Sequence, residues 1–118
     1  MNGSVIYFRQ ENVERRAYFR RDLVTSVTMR MAQHEFKITT ANISTGGIGL
    51  ERFDALQDLT LRQVRELADE PVFVHFDEFD IDIRAHLAWL NCETFRAGLI
   101  ILDISDSDRW DELCEPHL

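Results

Sequence analysis

Alternation is the feature that most limits this chain. From Leu23 onward, apolar and polar residues exchange at every second position, in runs rich in β-branched side chains, and turn residues punctuate the runs. A period of two gives a strand one apolar and one polar face, so each run is stable only as part of a sheet with one face buried. Leu23–Met31 is the first run. Residues 32–35 turn, and Phe36–Ile43 returns as the second strand of a hairpin. Gly46 and Gly47 break the chain before a short third strand, Ile48–Phe53. The period then lengthens over residues 54–70, where Leu56, Leu59, Val64 and Leu67 fit a short amphipathic helix ended near Pro71. Val72–Phe76, Ile81–Leu90 and Phe95–Leu102 supply three more strands, the last two joined by a turn at Asn91-Cys92-Glu93. Ser105 is placed to cap a final helix carrying Trp110, Leu113 and Cys114 at helical spacing. Six short strands with tight turns predict a mainly β fold, a closed or nearly closed six-stranded antiparallel barrel with a short helical insertion and a C-terminal helix. Residues 1–22 lack a sustained apolar period. They are expected to form a flexible N-terminal arm ahead of a barrel domain at 23–118, with Val5, Ile6, Tyr7 and Phe8 able to dock.

A chain of 118 residues suffices for one domain and one core without disulfides or metals. No apolar run approaches the ~18 residues of a membrane span, and the N-terminus lacks the pattern of an export signal, so a cytoplasmic location is expected. Cys92 and Cys114, each followed by a glutamate, are expected to be free, unreactive thiols. The formal charge of −8 disfavours nucleic-acid polymers, whose affinity is dominated by backbone charge. That charge is uneven. Residues 1–30 carry six arginines against Glu11, Glu14 and Asp22, a balance of +3 that leaves the rest at −11. Every basic residue except Lys37 is arginine, whose flat fork pairs bidentately with phosphates and guanine edges. A basic arm on an acidic body fits a small anionic ligand, an acidic partner surface, or simply a solvated terminus.

Two segments carry chemistry. In Glu14-Arg15-Arg16-Ala17-Tyr18-Phe19-Arg20-Arg21, the arginines at 16 and 20 can each set two N–H donors on a phosphate or on the O6/N7 edge of guanine. In Asn42-Ile43-Ser44-Thr45-Gly46-Gly47, Asn42 offers both donors and acceptors to another guanine edge. Ser44 suits a phosphate or a backbone turn, and Gly47 lets a flat base or phosphate approach the backbone. The alternatives are pairing of Arg16 and Arg20 with Glu14 and Asp22, and a plain turn made by Asn42, Ser44, Gly46 and Gly47. Arg15 and Arg21 are open between ligand contact and solvent.

Together the segments resemble the PilZ domain family of bacterial cyclic di-GMP receptors. That family has RxxxR ahead of its barrel and (D/N)xSxxG on it. Arg16-Ala-Tyr-Phe-Arg20 matches the first pattern, and Asn42-Ile-Ser44-Thr-Gly-Gly47 matches the second at every defined position. Phe95-Arg-Ala-Gly98-Leu-Ile-Ile-Leu-Asp-Ile-Ser resembles the family's last strand, and the likeness runs over roughly residues 12–114. The helical 54–70 segment is a departure that leaves the motif residues untouched. The resemblance implies a PilZ-like barrel and a non-enzymatic sensor or adaptor without a cofactor. Its ligand would be cyclic di-GMP, wrapped by the arm and held by Arg15, Arg16, Arg20, Arg21, Asn42, Ser44, Gly46 and Gly47, with an effector protein as downstream partner. It also implies a stacked pair of ligands, because Arg15 precedes the RxxxR. The rival reading is a PilZ-like adaptor that binds a protein without nucleotide. A carboxylate hydrolase built on Asp77, Glu78, Asp80 and Asp82 ranks far below, since those acids also suit a solvated hairpin. His34, His75, His86 and His117 lack metal-ligand spacing. Trp89 and Trp110 read as core, with Trp89 also able to border a base.

Overall fold

The computed structural model describes residues 5–8, 20–31 and 33–115. In chain order these form β1 (Val5–Tyr7), β2 (Arg21–Asp22), β3 (Ser26–Met31), β4 (His34–Ser44), β5 (Gly47–Leu50), a 3-10 turn (Asp54–Leu56), α1 (Leu61–Ala68), β6 (Val72–Phe76), β7 (Ile81–Asn91), β8 (Ala97–Ile104) and α2 (Ser107–Cys114). The alternation sets the inner face. Val27, Met29 and Met31 of β3 are buried while Arg30 is exposed, and Val72, Val74 and Phe76 of β6 are buried while Phe73 is half-exposed. Strands β3, β4, β5, β8, β7 and β6 pair in that order, all antiparallel, and β6 returns to β3, so the barrel is closed.

Two short strands lie outside that ring. β7 outruns β6, and its free end takes β1, with Val5, Ile6 and Tyr7 opposite Asn91, Leu90 and Trp89. β4 likewise outruns β3 and takes β2, with Arg21 opposite Ile43 and Asp22 opposite Asn42. α2 inserts Trp110 fully into the core, edge-on to Phe76 at 5.2 Å between ring centres. Among the described residues its indole N–H has no partner.

Three sequence expectations shift. The single helix over 54–70 is split, because Thr60 begins α1 with a capping box. The Thr60 hydroxyl accepts from the Gln63 N–H at 3.2 Å, and the Gln63 side chain accepts from the Thr60 N–H at 2.9 Å. The third strand ends at Leu50 rather than Phe53. The cap of α2 is Asp106, whose carboxylate accepts the Arg109 N–H at 3.1 Å; Ser105 instead accepts the Asp82 N–H at 2.9 Å.

Candidate functional site

The site begins with a register shift. β4 and β5 slip by one residue between Thr40 and Asn42, which leaves Ala41 as an extra residue. Beyond this bulge Ile43 and its partner Ile48 point into the core, so Asn42 and Ser44 face outward. The pairing then draws one row across six strands: Asp22, Asn42, Gly49, Gly98, Trp89 and Tyr7. Its two central members have no side chain, and their neighbours lie over them. A Cβ on Gly49 would stand 2.6 Å from Asn42 Oδ1, and one on Gly98 would stand 2.1 Å from Trp89 Nε1. The Asn42 amide therefore covers Gly49 and the Trp89 indole covers Gly98, so the row presents an amide and an indole laid flat on the sheet. A flat heteroaromatic ring can stack on that indole. The adjacent row is Ser44, Gly47, Ile100 and His86. Ser44 is buried, with its hydroxyl 3.5 Å from the Gly47 carbonyl. Thr45 and Gly46 make the turn between β4 and β5. None of the described glycines has a positive φ, so a left-handed backbone is not the reason for glycine at 46 and 47.

The arm enters this face through a fixed joint. The buried Thr40 hydroxyl donates to the Leu23 carbonyl at 2.6 Å and accepts the Thr25 N–H at 3.1 Å. With that joint held, alternation along the chain sorts the arginines. Asp22 shares the outward face of Asn42, and the same alternation carried one residue before β2 puts Arg20 on that face; both are exposed. Arg21 stands opposite Ile43 on the other face. Its guanidinium donates to the Leu113 carbonyl at the end of α2, where a cation is favoured by the helix dipole. The structure therefore brings Arg20, Asn42, Ser44 and Gly47 to one face and engages Arg21 with α2. Arg15 and Arg16 lie outside the described residues. Sequence reasoning missed the placement of Asp22 opposite Asn42 and the seats that Gly49 and Gly98 provide for Asn42 and Trp89. For Gly49 the signal was its spacing of two from Gly47, which places both on one face of a strand.

The other candidates resolve differently. Lys37 bonds Asp77 at 3.0 Å and Thr28 bonds it at 3.0 Å, and the Lys37 ammonium holds the Asp77 carboxyl below its ordinary range. Asp82 takes His75 Nδ1 at 2.8 Å. Among the described residues, no group of three or more His, Cys, Asp or Glu is arranged to hold a metal. Cys92 is exposed and Cys114 buried, both free. Burial, followed by Asp111, pushes the Cys114 thiol up to about 11, against an opposing pull from Arg21. None of the described helices is long and apolar enough to cross a membrane.

Comparison with known proteins bears on this geometry. The model of the PilZ domain matches residues 14–113. The fold is similar to that of the inhibitor of motility MotI/DgrA from Bacillus subtilis, with a TM-score of 0.57 and 19% identity, covering 90% of this chain and 50% of that one. It is also similar to the PilZ domain of CeSA from a cellulose-synthesizing bacterium, with a TM-score of 0.52 and 15% identity, covering 80% of this chain and 88% of that one. The chain thus spans half the length of MotI/DgrA. No curated protein matches. Both solved structures share the fold, the matched residues take in RxxxR as well as the barrel, and the chain belongs to the PilZ domain family.

Proposed function

We propose that this chain is a cyclic di-GMP sensor or adaptor, not an enzyme, which wraps its arginine-rich arm around the nucleotide and signals to a partner protein. The observation that carries this reading is the outward row of Asp22, Asn42 and Trp89, the last two laid over Gly49 and Gly98, with Arg20 adjoining it by alternation from β2. Arg16 and Arg20 supply guanidinium forks to phosphate and to the O6/N7 edge of guanine. Asn42 and Ser44 supply neutral partners, and Gly46 and Gly47 keep the turn open to the ligand. Charge-assisted hydrogen bonds of roughly 1.5–3 kcal/mol each offset the ordering of the arm. Arg15 favours a stacked pair, since two ligands bring four phosphate charges to one face of an acidic body.

Isothermal calorimetry with cyclic di-GMP tests the reading. The parent is expected to bind two ligands per chain, Arg20→Ala to lose nearly all binding with an unchanged melting temperature, and Arg15→Leu to bind one. Absence of heat for the parent at saturating ligand leaves the nucleotide-free adaptor reading in its place.

A further inference from the structure

Resting on the cyclic di-GMP reading of this face, we propose that Asp22 reads the Watson–Crick edge of one guanine and thereby sets specificity for guanine over adenine. Asp22 is the end of the outward row that runs through Asn42, Gly49, Gly98 and Trp89 and is exposed, and no described residue pairs with its carboxylate. The Leu23 N–H donates to the Ala41 carbonyl at 3.2 Å, so 23 and 41 form a hydrogen-bonded pair. Pairs alternate along an antiparallel ladder, which makes Asp22 and Asn42 a non-hydrogen-bonded pair. In such pairs the Cβ atoms stand only about 4.5–5.5 Å apart. The Asn42 amide lies over Gly49, on the far side from Asp22, so the carboxylate and the amide stand in line to meet neighbouring atoms along one edge of a ligand.

A carboxylate only accepts hydrogen bonds. The phosphates and the O6 and N7 atoms of a cyclic dinucleotide also only accept, so none of them can face Asp22. Guanine has two adjacent donors, N1–H and N2–H, spaced to meet two carboxylate oxygens, with the O6 acceptor beside them for the Asn42 amide. Adenine presents an N1 acceptor in the middle of that edge and no N2 amine. The Asp22–Asn42 pair thus complements guanine and opposes adenine. Arg20, on the same face, remains for phosphate or the O6/N7 edge.

The test is calorimetry of the parent, Asp22→Ala and Asp22→Asn with cyclic di-GMP, its inosine analogue lacking the N2 amine, and cyclic di-AMP. The parent is expected to prefer guanine over inosine by about tenfold, one charge-assisted hydrogen bond. Asp22→Ala is expected to weaken cyclic di-GMP by roughly tenfold to hundredfold, to abolish the guanine–inosine difference, and to leave cyclic di-AMP equal or tighter. Asp22→Asn is expected to fall between. Cyclic di-GMP binding to Asp22→Ala as tightly as to the parent, or tighter, overturns the assignment while the cyclic di-GMP reading stands. Failure of the parent to bind cyclic di-GMP at all overturns both.

Discussion

The contact between Gly98 and Trp89 can be tested by adding one methyl group. In Gly98→Ala the new Cβ falls 2.1 Å from Trp89 Nε1, 2.5 Å from Cε2 and 2.9 Å from Cδ1, against an ordinary contact of roughly 3.5 Å. Gly98 does not have a positive φ, so the backbone accepts alanine and the whole cost is steric. The indole is rigid and must rotate off the barrel. Returning about 100 Å² of ring to water at ~25 cal/mol per Å² costs about 2.5 kcal/mol. For a chain of 118 residues the unfolding entropy converts this into a fall in Tm of about 10 °C. Thermal melts should show that fall, and tryptophan emission should move red, because Trp89 and Trp110 are the only tryptophans and Trp110 stays buried. Cyclic di-GMP should also bind more weakly, as the Trp89 indole leaves its seat over Gly98. A Trp89→Ala background removes the obstacle, so there the same glycine substitution should cost under about 0.5 kcal/mol. A Gly98→Ala protein that melts with the parent at unchanged emission refutes the packing argument, and so does an equal loss in both backgrounds.

Three further outcomes are expected. Thr40→Val should lower stability by about 1–3 kcal/mol in urea titrations, because the buried Thr25 N–H loses its acceptor and the Leu23 carbonyl its donor. Arg21→Ala should separate from Arg20→Ala, lowering the melting temperature through loss of the Leu113 contact while changing nucleotide affinity far less. In thiol labelling at neutral pH, Cys92 should react promptly and Cys114 only as α2 opens. Since the Cys114 thiol moves from 9.0 to about 11 on folding, its contribution is complete below pH 9 and fades as pH climbs to about 11, so α2 should loosen across that window. Helical circular dichroism of the parent and of Cys114→Ala checks it; identical alkaline limbs would count against it.

Strand positions were legible because alternation is a local property, and the residues at the heart of the barrel, such as Met29, Phe76 and Leu87, all fall on inward positions of expected strands. Asn42 and Ser44 were legible as a motif. What could not be read was pairing. The bulge at Ala41 decides that Asn42 faces outward, and it depends on β5, not on the residues of β4 alone. The assignment of Arg21 to α2 depends on a partner 92 residues away. Two misplacements were avoidable. Thr60 and Gln63 have capping-box spacing within the expected helix, and Asp106 follows Ser105 as an equally good cap.

Closure of the barrel also has a kinetic consequence. The ring is sealed by β3 against β6 and by β5 against β8, pairing Val27 with Phe76 and Gly47 with Ile100, partners about fifty positions apart in sequence. Such contacts restore the entropy of closing long loops only late in folding, which places chains like this in the millisecond-to-second range and not among the microsecond folders. The β4–β5 hairpin can form early, but Gly49 meets Gly98 only when β8 arrives. A partly folded chain without the β5–β8 pairing therefore lacks this row, and the proposed nucleotide face is complete only once that long-range pairing is made.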